Sequence, residues 1–143
     1  MTWVKNISLY IVAALILNAL SNLLESPFLS NFLHDNVINL LINLLAINTA
    51  TTGIVLTKLK EISENNNNFD FSDSYKELKF ALFEQIILIG LSIAALIFKD
   101  SEVIKMKLNH HDFVFDTLLT AIFMNALDTL RDTGKAIFSI IKK

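Results

Sequence analysis

Asn36, Asn39, Asn43, Ala46, Ala50, Gly53 and Thr57 follow one another at alternating steps of three and four. That spacing draws a single stripe along one helix face. The residues between them are mostly Leu, Ile and Val, so in water the helix would be nearly inside out. In a bilayer it makes sense, because the apolar flanks face lipid and the stripe faces other helices or water. Two chemistries follow. The Asn side chains can hydrogen-bond neighbouring helices while Ala46, Ala50 and Gly53 let backbones approach, each polar contact contributing about 0.6–2 kcal/mol. Alternatively, several copies of the helix ring a lumen, which an Asn amide can line by donating and accepting without a fixed charge. The centre of the segment, Asn48-Thr49-Ala50-Thr51-Thr52-Gly53, is polar around most of its circumference, more than a single packing face needs.

Among the ionisable residues Glu84 stands out, about two turns inside an apolar run and one heptad after Glu77. A carboxylate there costs several kcal/mol unless paired or hydrated. It is expected to face the interior, favouring cations in a pore or carrying a proton in a small transporter. Asp116 and Asp128 bracket the last apolar segment and are expected at the headgroups. Asn109-His110-His111-Asp112, followed by Asp116, contains metal-ligand residue types, but adjacent histidines on a helix diverge by about 100°. No metal site is assigned, and no nucleophile–base arrangement or hydrolase motif points to an enzyme. Asn18, Ser21, Asn22 and Glu25 form a further polar face, expected to pair with Asn36 and Asn39 across the turn at Pro27.

A second constellation is basic. Lys58 and Lys60 close one apolar run, Lys76 and Lys79 open the next, and Arg131 and Lys135 end the last. In an antiparallel bundle these ends converge at one level. They either anchor the protein to anionic lipid or bind an anionic ligand, a nucleotide or oligonucleotide, or a cytosolic regulatory protein. Glu61, Glu64, Asp70, Asp73 and Glu77 dilute the charge.

The elements that must position these groups are membrane spans. Hydrophobic residues make up 53% of the 143 and charged residues only 18%, against about 25% charged in ordinary globular domains. The mean hydropathy is +0.52. The sequence predicts an all-α membrane protein of one domain, 1–143, with about four transmembrane helices assembled as a homo-oligomer. The spans fall at about 4–24, 37–57, 78–98 and 113–136, with a cytoplasmic loop at 58–77. Trp3 suits the interface before the first span. That span could be read as a signal peptide cleaved after Ala19-Leu20-Ser21, but apolar residues continue through Leu24, so a retained helix is expected. Asn65 to Asn68 reads as a loop tip, Lys99 to Asp112 as a short charged loop, and Ile137 to Lys143 as a tail along the membrane surface. The single Pro and three Gly argue against a loop-rich or β fold, and the absence of Cys excludes disulfides and thiol chemistry. A net charge of −2 excludes a globally basic nucleic-acid binder. Nine of the twelve Lys and Arg lie at the two ends of the chain and between the second and third spans. This bias puts both termini and the Asn-rich loop in the cytoplasm.

Taken whole, the size, the four spans and the Lys-rich second loop, with Lys58-Leu59-Lys60-Glu61 closing the second span, resemble the small membrane effectors of bacterial anti-phage defence, of Rex-exclusion and Hailong type. The resemblance implies a pore that depolarises the inner membrane when released from control. The residues themselves leave three classes open: such a pore, a small transporter using Glu84, and a non-catalytic membrane subunit of a larger complex.

Overall fold

Leu33, Val37, Leu41 and Leu44 recur at helical spacing and are all buried, and they meet Leu88 and Ala95 from one helix and Leu119, Ile122 and Ala126 from another. The computed structural model describes residues 2–65 and 72–141, and every element among them is helical: α1 (Thr2–Leu23), α2 (Phe28–Asn65), α3 (Ser72–Asp100), the short α4 (Glu102–Lys107) and α5 (His111–Ile141). The Asn-rich tract from Asn66 onward lies outside the described residues, as do the side chains of Trp3, Lys5 and the tail from Ala136.

Four of the helices, α1, α2, α3 and α5, are long and apolar enough to cross a membrane. Their exteriors agree with that reading. Leu9 and Ile16 of α1, Ile42 and Ile54 of α2, and Phe83, Ile86 and Ile97 of α3 are all exposed, a density of apolar surface that water does not tolerate. At 38 residues, α2 is about 57 Å long, well beyond a hydrocarbon core of about 30 Å. Its charge-free part, from Asn36 to Thr57, has the length needed to span, and the turns beyond it project out of the core. Helix therefore replaces much of the loop expected at 58–77: α2 runs on to Asn65 and α3 starts at Ser72. The expected loop from Lys99 to Asp112 is also largely helical, with Lys99 and Asp100 closing α3 and α4 following at once.

The helix α5 is the hub, packing against α1, α2 and α3, whereas α1 touches α2 only slightly. Small side chains make this possible. Ala126 is fully buried, and Ala95 and Ala121 nearly so, which lets three backbones close on α5 where larger residues would hold them apart. The link from α1 to α2 is a left-handed cap at Glu25, φ 49°. The Ser26 N–H reaches back to the Ser21 carbonyl at 2.9 Å, and the Ser21 hydroxyl donates to the Ser26 carbonyl. This closes the helix as a Schellman-type end does. Pro27 then starts the next helix, its carbonyl accepting the Asn31 N–H at 3.0 Å.

In this arrangement α1 and α3 run in one direction and α2 and α5 in the other. In the otherwise Cys-free chain, cysteines placed at Glu61 and Glu102, both exposed, should react with a membrane-impermeant maleimide from opposite sides. Labelling of both from one side would overturn the four-span topology.

Candidate functional site

On the face of α5 shared with α1 and α3 lies a cavity of about 620 Å³. Asn6, Ile7 and Tyr10 border it from α1, while α3 contributes Glu77, Phe80, Ala81 and Glu84. Its floor is α5, through Asn125, Asp128 and Asp132. The polar groups are bonded across helices. The Asn125 amide donates to Glu84 Oε1 at 3.2 Å. The Tyr10 hydroxyl donates to Asp128, which also pairs with Arg131 at 2.8 Å. Glu84 is roughly three to four residues from the midpoint of the apolar window Tyr75–Asp100, about 5 Å along the axis. It is half-buried and turned toward α5. Asp128 is likewise packed into the bundle, its side chain 13% exposed.

At the other end of the bundle Asp116 is packed inside as well. Its carboxylate and the Lys99 ammonium pair at 2.6 Å, with the side chains only 13% and 10% exposed, and Lys99 also donates to the Ser30 hydroxyl at 3.1 Å. This buried pair ties α2, α3 and α5 together. Nearby, His34 lies 3.0 Å from Asp35 and 3.3 Å from Asp100. Asn18 bonds Thr120 at 3.1 Å and its own helix at the Ala14 carbonyl, not Asn36 or Asn39. The expected pairing across Pro27 fails because α1 leans on α5 and leaves α2 nearly untouched.

Between the two apolar clusters of the core sits a polar layer. Leu44 and Leu88 belong to one cluster, Val55 and Leu78 to the other; Asn48 and Gln85 fall between them on α2 and α3. Their four amide atoms and the Ser92 hydroxyl are buried and have no hydrogen-bond partner among the described residues. Each such group costs about 1–3 kcal/mol, so apolar packing in the neighbouring layers must hold them in.

The Asn stripe lies elsewhere. At 100° per residue it falls about half a turn from the buried face of α2 that runs from Leu33 through Asn48 to Leu59. Asn39, Asn43, Ala46, Ala50, Gly53 and Thr57 are exposed and Asn36 half-buried. A Cβ added at Gly53 would meet nothing within 4 Å. Asn36 bonds the Phe32 carbonyl at 2.9 Å and Thr57 the Gly53 carbonyl at 3.0 Å, each within its own helix. The residues expected to line a pore thus divide into two sets, the stripe outside the bundle and Glu84 inside it.

The basic ends do meet: Leu59 packs on Leu78, and Lys76 borders the cavity together with Asp132 and Thr133. They meet interleaved with acids. Lys58 pairs with Glu61 at 2.6 Å and Lys135 with Asp132 at 3.0 Å, and Arg131 reaches both Asp128 and Asp132; Lys60 and Lys79 are exposed. An anionic ligand there must displace these pairs. Tyr10, Gln85, Lys99 and Asn125 were not singled out by sequence reasoning. The available signal was the polar spacing of the last span, where Asp116, Thr120, Asp128 and Thr129 interrupt an apolar helix.

No family model, curated protein or solved structure matches the chain, so the chemistry of these residues carries the functional reading alone. The buried pair supplies a stability test. Lys99→Met leaves Asp116 without its cation and should lower stability by about 3–5 kcal/mol in a denaturant titration in detergent. Lys99→Met with Asp116→Leu should recover most of that loss.

Proposed function

We propose that the chain is one subunit of an oligomeric pore in a bacterial inner membrane, with both termini cytoplasmic. The observation that carries this reading is the stripe on the outer face of α2. Left against lipid, the exposed Asn39 and Asn43 amides would be desolvated without partners, at about 1–3 kcal/mol for each lost hydrogen bond. Contact with further copies, or with water in a lumen between them, removes that cost. Ala46, Ala50 and Gly53 continue the face with no bulk, and among the described residues nothing lies within 4 Å of a Cβ placed at Gly53. Copies of α2 could therefore approach along this line while α1, α3 and α5 form an outer layer.

The resemblance to small anti-phage effectors suggests the setting, a pore that dissipates the membrane potential once released from control. Control by an anionic ligand at Lys58, Lys60, Lys76, Lys79, Arg131 and Lys135 is a weaker part of the proposal, because several of these cations already face carboxylates. A second reading, a small secondary transporter, is favoured by one observation: the carboxylates Glu84 and Asp128 border a cavity between helices.

The test uses the full chain in liposomes. Wild-type protein should assemble as an oligomer by mass in detergent and give unitary currents in planar bilayers. Replacing Asn39 and Asn43 together with Leu should abolish the currents while the oligomer remains. If the oligomer instead dissociates, the stripe is a packing face only. Unchanged currents would exclude it from the conduction path. Gly53→Val should impair assembly and conduction together, since bulk there holds neighbouring helices apart.

A further inference from the structure

A pore built on the outer face of α2 leaves the cavity among α1, α3 and α5 without a role. Its volume of about 620 Å³ falls within the range of small-molecule sites, roughly 300–1,000 Å³. Four carboxylates border it, Glu77, Glu84, Asp128 and Asp132, against one lysine, Lys76. Arg131 and Lys135 reach Asp128 and Asp132, both near the cavity's aqueous end. Glu84 lies deeper, with the Asn125 amide among its partners. With Lys76, Arg131 and Lys135 counted, one carboxylate remains in excess, and charge inside a low-dielectric slab acts over long distances, so the site favours a cation over an anion.

The shape says which cations. Among the described residues, no three His, Cys, Asp or Glu side chains gather into a group that could hold a metal ion. The carboxylates stand apart around the wall instead of converging on one point. Between them lie Ile7, Leu78, Phe80 and Ala81, and the Tyr10 ring borders the same space. Such walls suit an apolar body, and aromatic faces add attraction for a diffuse positive charge. Because α1 packs on α5 rather than on α3, the cavity can be reached from the side, where a lipid-soluble ligand would arrive.

We propose that this cavity binds a lipophilic organic cation, an ammonium or phosphonium centre on an apolar body. Its charge lies between Glu84 and Asp128, and its body rests against Ile7 and Phe80. The proposal does not depend on the pore reading, because binding is measured without any conduction.

Tetraphenylphosphonium is the probe, with the full chain in nanodiscs of neutral phosphatidylcholine and empty nanodiscs as the partition control. Saturable binding at one site per chain is expected, and tetraphenylborate, of the same shape and opposite charge, should not compete. Glu84→Gln should weaken phosphonium binding about thirtyfold or more, the loss typical of removing one member of a desolvated charge pair. Ala81→Trp, which keeps every charge and fills the space, should abolish it. Should Glu84→Gln fail to fold, the borate comparison on wild-type protein and the Ala81→Trp variant still decide the matter. Non-saturable uptake, equal binding of the borate, or undiminished binding by Ala81→Trp would each overturn the proposal.

Discussion

The structure depends on one constraint: polar side chains on helices this apolar must find partners inside the protein, and α5 supplies most of them. Four of its polar side chains reach across to other helices, two to α3 and two to α1. Asp116 holds Lys99 of α3, Thr120 holds Asn18 of α1, Asn125 holds Glu84 of α3, and Asp128 takes the Tyr10 hydroxyl of α1. Lipid tails are as apolar as Leu, so burying Leu against Leu gains little in a bilayer, and helix association rests on close packing and on such bonds. That is why α1, with few buried residues of its own, stays attached to α5 through Tyr10, Ala14 and Asn18.

The same constraint makes the exceptions informative. Two kinds of polar group escape it. Asn48, Gln85 and Ser92 are buried without partners among the described residues, and the Asn39 and Asn43 amides are turned outward on α2. In the first group, Asn48 and Gln85 are held by the apolar layers on either side, Leu44 with Leu88 and Val55 with Leu78, and Ser92 lies within the first cluster between Leu88 and Ala95. The second has no such cover within one chain. An outward amide and an inward carboxylate beside a cavity are two distinct demands, and they fall on different helices, α2 and α3. A pore and a cation site can therefore coexist in one subunit without sharing residues.

Charge follows a related logic at the ends. The basic residues that a sequence reader would gather into an anion site are interleaved with Glu61, Asp128 and Asp132, because consecutive turns of α2 and α5 carry both signs at spacings of three. Exposed pairs of this kind contribute little to stability, about 0–1 kcal/mol each, but they lower the net positive field that an anion would meet.

The four long apolar helices were legible in the sequence because hydropathy is local: a run of about 20 apolar residues is enough to mark a helix that could cross a membrane. The stripe on α2 was legible for the same reason, since helical periodicity depends only on spacing. The helix limits were less so. The loops expected at 58–77 and 99–112 proved largely helical, because charge ends a membrane span without ending a helix. Which face of α2 turns inward was decided only by the tertiary structure. That helix carries two stripes at helical spacing, one through Asn39 and Gly53, the other through Leu33, Leu44 and Leu59, and lipid discriminates poorly between them. The partners of Glu84, Asp128 and Lys99 were equally out of reach of a linear reading. Asn125, Tyr10 and Asp116 are joined to them by the direction in which each helix crosses α5, and that direction is a property of the packed bundle.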